Sequence, residues 1–304
     1  MFPTFLPPTV VQLTEETSRQ IAIALQQKAI ATPLCPEAIQ TTYVQQGTGS
    51  LPVLLLHGFD SSVFEFRRLL PELALSFETW AVDLLGFGFT ERPAQINFSP
   101  ATLKTHLYSV WKTLIGRPMV LVGASMGGAA AIDFALTYPD AVDRLVLLDS
   151  AGFAKAPPSG RWLLPITYAG TEVLRNAWVR GRISKSAYHD STWASADAAC
   201  CAALHLSCPG WRRALVSFAQ SGGYNFLASR IAELSMKTLI LWGRSDQILG
   251  TEDAYKFEDA LRAIDADGIP QGTLIWLDQC GHVPHLEKPR QTAGLIRTFL
   301  ERTA

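Results

Sequence analysis

Gly123-Ala124-Ser125-Met126-Gly127-Gly128 sets one serine among small residues in a G-x-S-x-G pattern. A serine hydroxyl alone is a poor nucleophile at neutral pH, so a reactive serine needs a general base and a carboxylate that orients the base. Both follow in the chain, the acid first: Asp246 in Gly243-Arg244-Ser245-Asp246, then His282 in Gln279-Cys280-Gly281-His282. Acyl transfer is the chemistry these three could perform. Ser125 would attack, His282 would move the proton, and Asp246 would fix the histidine tautomer and stabilise the imidazolium.

Each candidate needs an element to hold it. Residues 119–122 form an apolar run bounded by Pro118, and residues 129–138 are helix-forming and halted by Pro139. A strand should therefore turn sharply into a helix at Ser125, in a strained backbone that exposes Oγ, with Gly123 and Gly127 small because strand and helix nearly touch. Apolar runs at 238–242 and 274–277 should be the strands that deliver Asp246 and His282.

Two further motifs follow apolar runs: His57-Gly58-Phe59 after 53–56, and Asp83-Leu84-Leu85-Gly86-Phe87-Gly88 after 80–82. With four ordered motifs the chain resembles the α/β-hydrolase superfamily from about residue 39 to its C-terminus. The resemblance implies an α/β fold, a mainly parallel central sheet with helices on both faces and an inserted helical cap. It also implies an oxyanion hole built from the backbone N–H groups of Phe59 and Met126. Some members draw their acid from the end of the preceding strand, which makes Asp149 in Leu147-Leu148-Asp149 the alternative to Asp246. His57 is expected to brace its loop, Asp83, Gly86 and Gly88 to shape theirs, Asp278 to be structural, and His285 and Glu287 to support or pack beside the base.

Strand-like and helical runs alternate along the chain except between about 152 and 232, which reads as helical and aromatic throughout. The expected organisation is a core from 1 to 151, a cap from 152 to 232 and the rest of the core from 233 to 304. The cap carries Trp162, Tyr168, Trp178, Tyr188, Trp193, Trp211 and Phe218, most of them packing within it. It is also basic: Lys155, Arg161, Arg175, Arg180, Arg182, Lys185, Arg212, Arg213 and Arg230 stand against Glu172, Asp190 and Asp197. A positive roof could attract an anionic substrate or rest on an anionic surface, though solvated helix faces are the plainer reading.

Local signals place further helices. Ser62-Val63-Phe64-Glu65 has the pattern of a capping box, Ser99-Pro100 an N-cap with proline at the first helical position, and Thr251 precedes Glu252 and Asp253. Thr14 to about Ala29 reads as one more helix, with Leu13, Ile21 and Leu25 on one side.

The 304 residues, 48% hydrophobic and 17% charged with net charge −1, suit one large core plus an insertion. No apolar run is long enough to span a bilayer and no secretory leader is visible, so a cytosolic protein is expected. The five cysteines lack zinc-ligand spacing, and no phosphate-binding or dinucleotide motif is present, so neither metal nor cofactor is expected, nor is nucleic-acid binding.

Serine at the elbow departs from the dehalogenases and epoxide hydrolases of the superfamily, which carry aspartate there. Phe59-Asp60-Ser61-Ser62 stands where carbon–carbon bond hydrolases usually carry a second glycine pair. The stretch from His57 to Ser62, with Phe64-Glu65-Phe66-Arg67-Arg68, is similar to a group of cyanobacterial and chloroplast hydrolases whose substrates are generally unassigned. The expected activity is hydrolysis of a carboxylic ester of a small, partly apolar and potentially anionic molecule. Carbon–carbon hydrolysis, lactone opening or perhydrolysis by the same triad are the alternatives within enzymes. A receptor-like protein that binds its ligand and turns it over slowly is the alternative outside them.

Overall fold

The computed structural model describes residues 1–153, 164–263 and 270–303. Eight strands form one sheet: β1 Gln26–Ile30, β2 Ile39–Gln46, β3 Pro52–Leu56, β4 Glu78–Val82, β5 Met119–Ala124, β6 Val142–Leu148, β7 Thr238–Gly243 and β8 Gly272–Leu277. Their spatial order is β1-β2-β4-β3-β5-β6-β7-β8. The two leading strands pair antiparallel, and every pairing from β4 to β8 is parallel.

Parallel strands need crossovers, and helices supply them on both faces: α2 Leu69–Ala74, α3 Pro100–Leu114, α4 Met126–Thr137, α9 Glu252–Ala260, α10 Pro284–Glu287 and α11 Pro289–Arg302. The central strands are accordingly buried on both sides. Along β3, Leu54 and Leu56 join one apolar cluster while Val53 and Leu55 join the other, the period-two alternation of a sheet covered twice.

Between β6 and β7 the described residues are helical: α5 Leu164–Arg175, α6 Ala177–Ala187, α7 Ala196–Ala203 and α8 Trp211–Gln220. Trp162, Lys155 and Arg161 lie outside the described residues. Tyr188, Trp211 and Phe218 are buried, whereas Trp178 and Trp193 are exposed.

Two local expectations are corrected. The N-terminal helix, α1, runs only from Glu16 to Ala24; residues 26–30 leave it to pair with Ile39–Tyr43 as the sheet's edge strand. Leu13, Ile21 and Leu25 are buried as expected, but the polar Gln26-Gln27-Lys28 has no alternation to mark it as a strand. At Ser62 no capping bond forms, and residues 63–66 make a single 3₁₀ turn. The Val63 N–H donates instead to Asp83 (2.7 Å), and the Glu65 carboxylate turns back to Gly58. The Ser99 cap does form, Ser99 and Thr102 exchanging side-chain and backbone hydrogen bonds.

Candidate active site

β5 ends at Ala124 and α4 begins at Met126, so Ser125 alone makes the turn, at φ +52°. A non-glycine residue in that region costs roughly 1–3 kcal/mol and persists only where its surroundings fix it. Here they do. The Ser125 N–H donates to Leu148, and its carbonyl accepts from the N–H groups of Gly128 and Ala151. A Cβ on Gly127 would lie 2.1 Å from the Leu56 carbonyl oxygen, and one on Gly123 would lie 2.3 Å from that of Gly127. Both glycines are therefore dictated by close backbone approach, the reason expected for them.

The loop after β3 carries Phe59. Its anchor is His57, fully buried, whose Nδ1–H donates to the Gly58 carbonyl while Nε2 accepts from the Leu84 N–H at 3.1 Å. Burial holds the His57 pKa down at about 4, so the ring is neutral and braces the loop as expected. Asp83 accepts from the N–H groups of Val63 and Phe89, and burial pushes its pKa up to about 7. Among the described residues neither the Phe59 nor the Met126 N–H has an acceptor, which leaves both donors free.

Asp246 follows β7 and His282 follows β8. His282 Nδ1 meets Asp246 Oδ2 at 2.9 Å, and Asp246 Oδ1 accepts from the N–H groups of Ile248 and Leu249. The carboxylate is thus oriented by its own loop, which in turn orients the imidazole. Asp149, the alternative acid, is fully buried behind this pair at φ +40°, its Oδ1 accepting from the Gly243 N–H and its Oδ2 without a hydrogen-bond partner. Burial, reinforced by the Asp246 charge, pushes the Asp149 pKa well above the ordinary carboxylate value. Of the two candidates it is Asp246 that bonds His282. These groups could also be read as a metal cluster, since one donor atom from each of Asp149, Asp246 and His282 lies within 4.8 Å of the others. The His282–Asp246 bond already occupies Nδ1 and leaves Nε2 as the outward nitrogen.

Ser125 and His282 line one cavity of about 390 Å³ together with Phe59, and the surface there is largely apolar. No hydrogen bond joins Ser125 Oγ to His282 among the described contacts, as is common before substrate closes such a site. The far wall comes from the helical insertion, through Leu174, Arg180, Ile183 and Tyr188. Phe218 also reaches the Phe59 ring, at 6.2 Å between centroids.

Three acids, Asp60 and Glu287 buried and Glu65 half-buried, carry much of the surrounding framework, and sequence reasoning missed what each of them does. Glu65 accepts from Gly58 N–H and lies 3.3 Å from His285 Nε2; although burial opposes it, His285 draws its pKa down to about 2. Glu287 accepts from the N–H groups of Gly281, His189 and Asp190, tying the histidine loop to the insertion. Asp60, at φ +50° beside Phe59, accepts from Arg180 (2.6 Å), His205 (3.0 Å) and Trp211 (2.7 Å), all in the insertion. The basic roof was legible as a count of charges, but the pairing of Arg180 with Asp60 needed the fold. Asp278, by contrast, is exposed and pairs with Arg244 on the surface.

Residues 53–295 match the model of the "Alpha/beta hydrolase family". An Arabidopsis thaliana protein named alpha/beta hydrolase domain-containing protein VTE7 is 35% identical over 98% of this chain and 90% of its own. A 2-hydroxymuconate semialdehyde hydrolase from Pseudomonas sp. (strain CF600) is 28% identical over 86% of this chain and 90% of its own. Among solved structures, a thermophilic esterase from Thermogutta terrifontis superposes with a TM-score of 0.71 at 25% identity, covering 91% of this chain and 99% of that one.

Proposed function

The chain belongs to the α/β-hydrolase family, and from that premise we propose that it is a serine hydrolase cleaving a carboxylic ester of a small, partly apolar substrate. Ser125 is the nucleophile, His282 the general base and then acid, and Asp246 the carboxylate that orients it. The N–H groups of Phe59 and Met126 hold the oxyanion. Attack by Oγ on the ester carbonyl passes its proton to His282; the tetrahedral intermediate expels the alcohol, which takes that proton, and water repeats the sequence to release the acid. Residues 152–232 are a cap that roofs the cavity.

The observation that carries this reading is the 2.9 Å His282–Asp246 bond in the same cavity as a serine strained at φ +52°. The apolar walls of about 390 Å³ favour an acyl or alcohol group of modest size. Five free thiols suit a reducing, cytosolic compartment, and no described helix is long and apolar enough to cross a membrane.

Labelling by a fluorophosphonate probe tests the triad, with aryl esters of increasing acyl length sizing the pocket. Wild type should label and turn over esters, and Ser125→Ala and His282→Ala should lose both. Full ester turnover by Ser125→Ala defeats the proposal. A second reading, carbon–carbon hydrolysis of a ring-fission dienoate, rests on the name of the 28% identical relative and uses the same triad. Turnover of such a dienoate far exceeding that of any aryl ester would replace the first reading with the second.

A further inference from the structure

α6 divides its residues sharply. Arg180, Ile183, Ser184 and Ala187 line the catalytic cavity. Trp178, Arg182 and Lys185, spaced i, i+4, i+7, form one stripe on the opposite side, and all three are exposed, Trp178 to 69%. The Arg182 guanidinium lies over the Trp178 ring at 5.2 Å, so the aromatic and cationic groups of the stripe form one surface.

Charge and apolarity around the stripe are one-sided. Between Glu172 and Asp190 the chain carries no acid. Elsewhere in the insertion the arginines are spent: Arg180 on Asp60, Arg212 on Glu172, Arg230 on Glu233, and Arg213 on the carbonyls of Ile96 and Pro93. Arg175, Arg182 and Lys185 have no acidic partner among the described residues. Next to them Val173 is exposed to 54%, and the cavity mouth is rimmed by Ile183 (45%) and Ile248 (41%).

We propose that the outward face of α6 rests on an anionic lipid surface, with Trp178 at the headgroup level and Arg182 and Lys185 against the lipid charges. The hollow beside the stripe is lined by Trp178, Gly181, Arg182, Lys185 and Ser186, all on α6, so among the described residues no second element closes it into a groove for a folded partner. A charged fluid surface requires none, and an aromatic residue among cations is what interfacial helices present. The inference goes beyond the ester-hydrolase reading and stands on the surface alone.

Flotation of the full chain tests it, using vesicles of pure phosphatidylcholine against vesicles of equal parts phosphatidylglycerol and phosphatidylcholine. Binding should require the anionic lipid and weaken as salt is raised. Arg182→Glu/Lys185→Glu and Trp178→Ala should each lower binding at least about tenfold, while turnover of a water-soluble aryl ester stays at the wild-type rate. Arg297→Glu/Arg302→Glu, which makes the same change in net charge on exposed positions of α11, should bind as wild type does. Equal binding to both vesicle types, no binding to either, or equal loss in the α11 variant overturns the proposal. Failure of ester turnover with lipid binding intact would instead count against the hydrolase reading alone.

Discussion

A carboxyl oxygen of Asp149 and one of Asp246 lie within 4.8 Å of each other at the ends of the adjacent parallel strands β6 and β7. Two buried carboxylates that close do not both ionise, and the division of labour is visible in their donors. Asp246 collects two backbone N–H groups and the imidazole, whereas Asp149 receives one N–H and keeps its second oxygen without a partner. The proton therefore belongs on Asp149.

That assignment makes a neutral replacement harmless in charge. Besides Asp246, the titratable groups around Asp149 are His282, Glu287 and Cys280. Asp149→Asn should keep the acid limb of the kcat/KM profile where wild type has it, since asparagine tolerates the positive φ and preserves neutrality. A limb displaced to lower pH by about one unit or more would show that wild-type Asp149 carries charge next to His282.

Asp60 links the Phe59 loop to the insertion. It sits next to Phe59 and takes three donors from the other side of the cavity. Burial works against its ionisation, but the bonds from His205 and Arg180 hold its pKa below the ordinary value. Arg180→Met keeps most of the side chain's length and removes the charge. It should cost about 2 kcal/mol in denaturant unfolding, the usual loss for a charged hydrogen bond. It should also lower kcat more than it raises KM for a small aryl ester, because the Phe59 N–H is less firmly placed. An unchanged kcat would show that the loop holds its shape without the clamp.

Ser125, Asp246 and His282 were legible as candidates because each follows an apolar run closely, so the run, the turn and the candidate side chain are all local in sequence. The Asp60 clamp was not legible: its three partners lie 120 to 151 residues away, and nothing in Phe59-Asp60-Ser61 signals them. Glu65 fitted a local capping rule, yet a tertiary bond to Gly58 and the nearby His285 won it over. Residues 26–30 misled for a different reason, since an exposed edge strand has no buried face to write an alternation into its sequence.

His106 offers a pH test of stability away from the cavity. It is buried on α3 against the Thr41 hydroxyl at 2.9 Å, and burial lowers its pKa to about 4. Below pH 6.5 the unfolded chain binds a proton at this position that the folded chain refuses, so stability falls as pH drops from 6.5 toward 4. The full loss for this one group is about 3 kcal/mol. His106→Gln should remove it, so the stability of wild type relative to the variant should decline over that range in urea titrations. A constant difference between the two would show that the ring already accepts its proton in the folded state.

The glycines make the sharpest structural prediction because two with opposite surroundings can be compared. A methyl on Gly127 would meet the carbonyl oxygens of Leu56 at 2.1 Å and His57 at 2.5 Å, backbone atoms of the strand and loop that position Phe59. Neither can yield without moving the Ser125 turn or the loop, so Gly127→Ala should lose aryl-ester turnover by roughly a hundredfold or more, an effect typical of a lost oxyanion donor. Gly294, within α11, has nothing within 4 Å of its missing Cβ. Gly294→Ala should therefore stabilise the protein by about 0.5–1 kcal/mol through helix propensity and leave turnover untouched. Measured together by thermal unfolding and ester turnover, the pair separates space from flexibility. If Gly127→Ala retains wild-type activity, the close approach of α4 to β3 is not what places the proposed oxyanion donors.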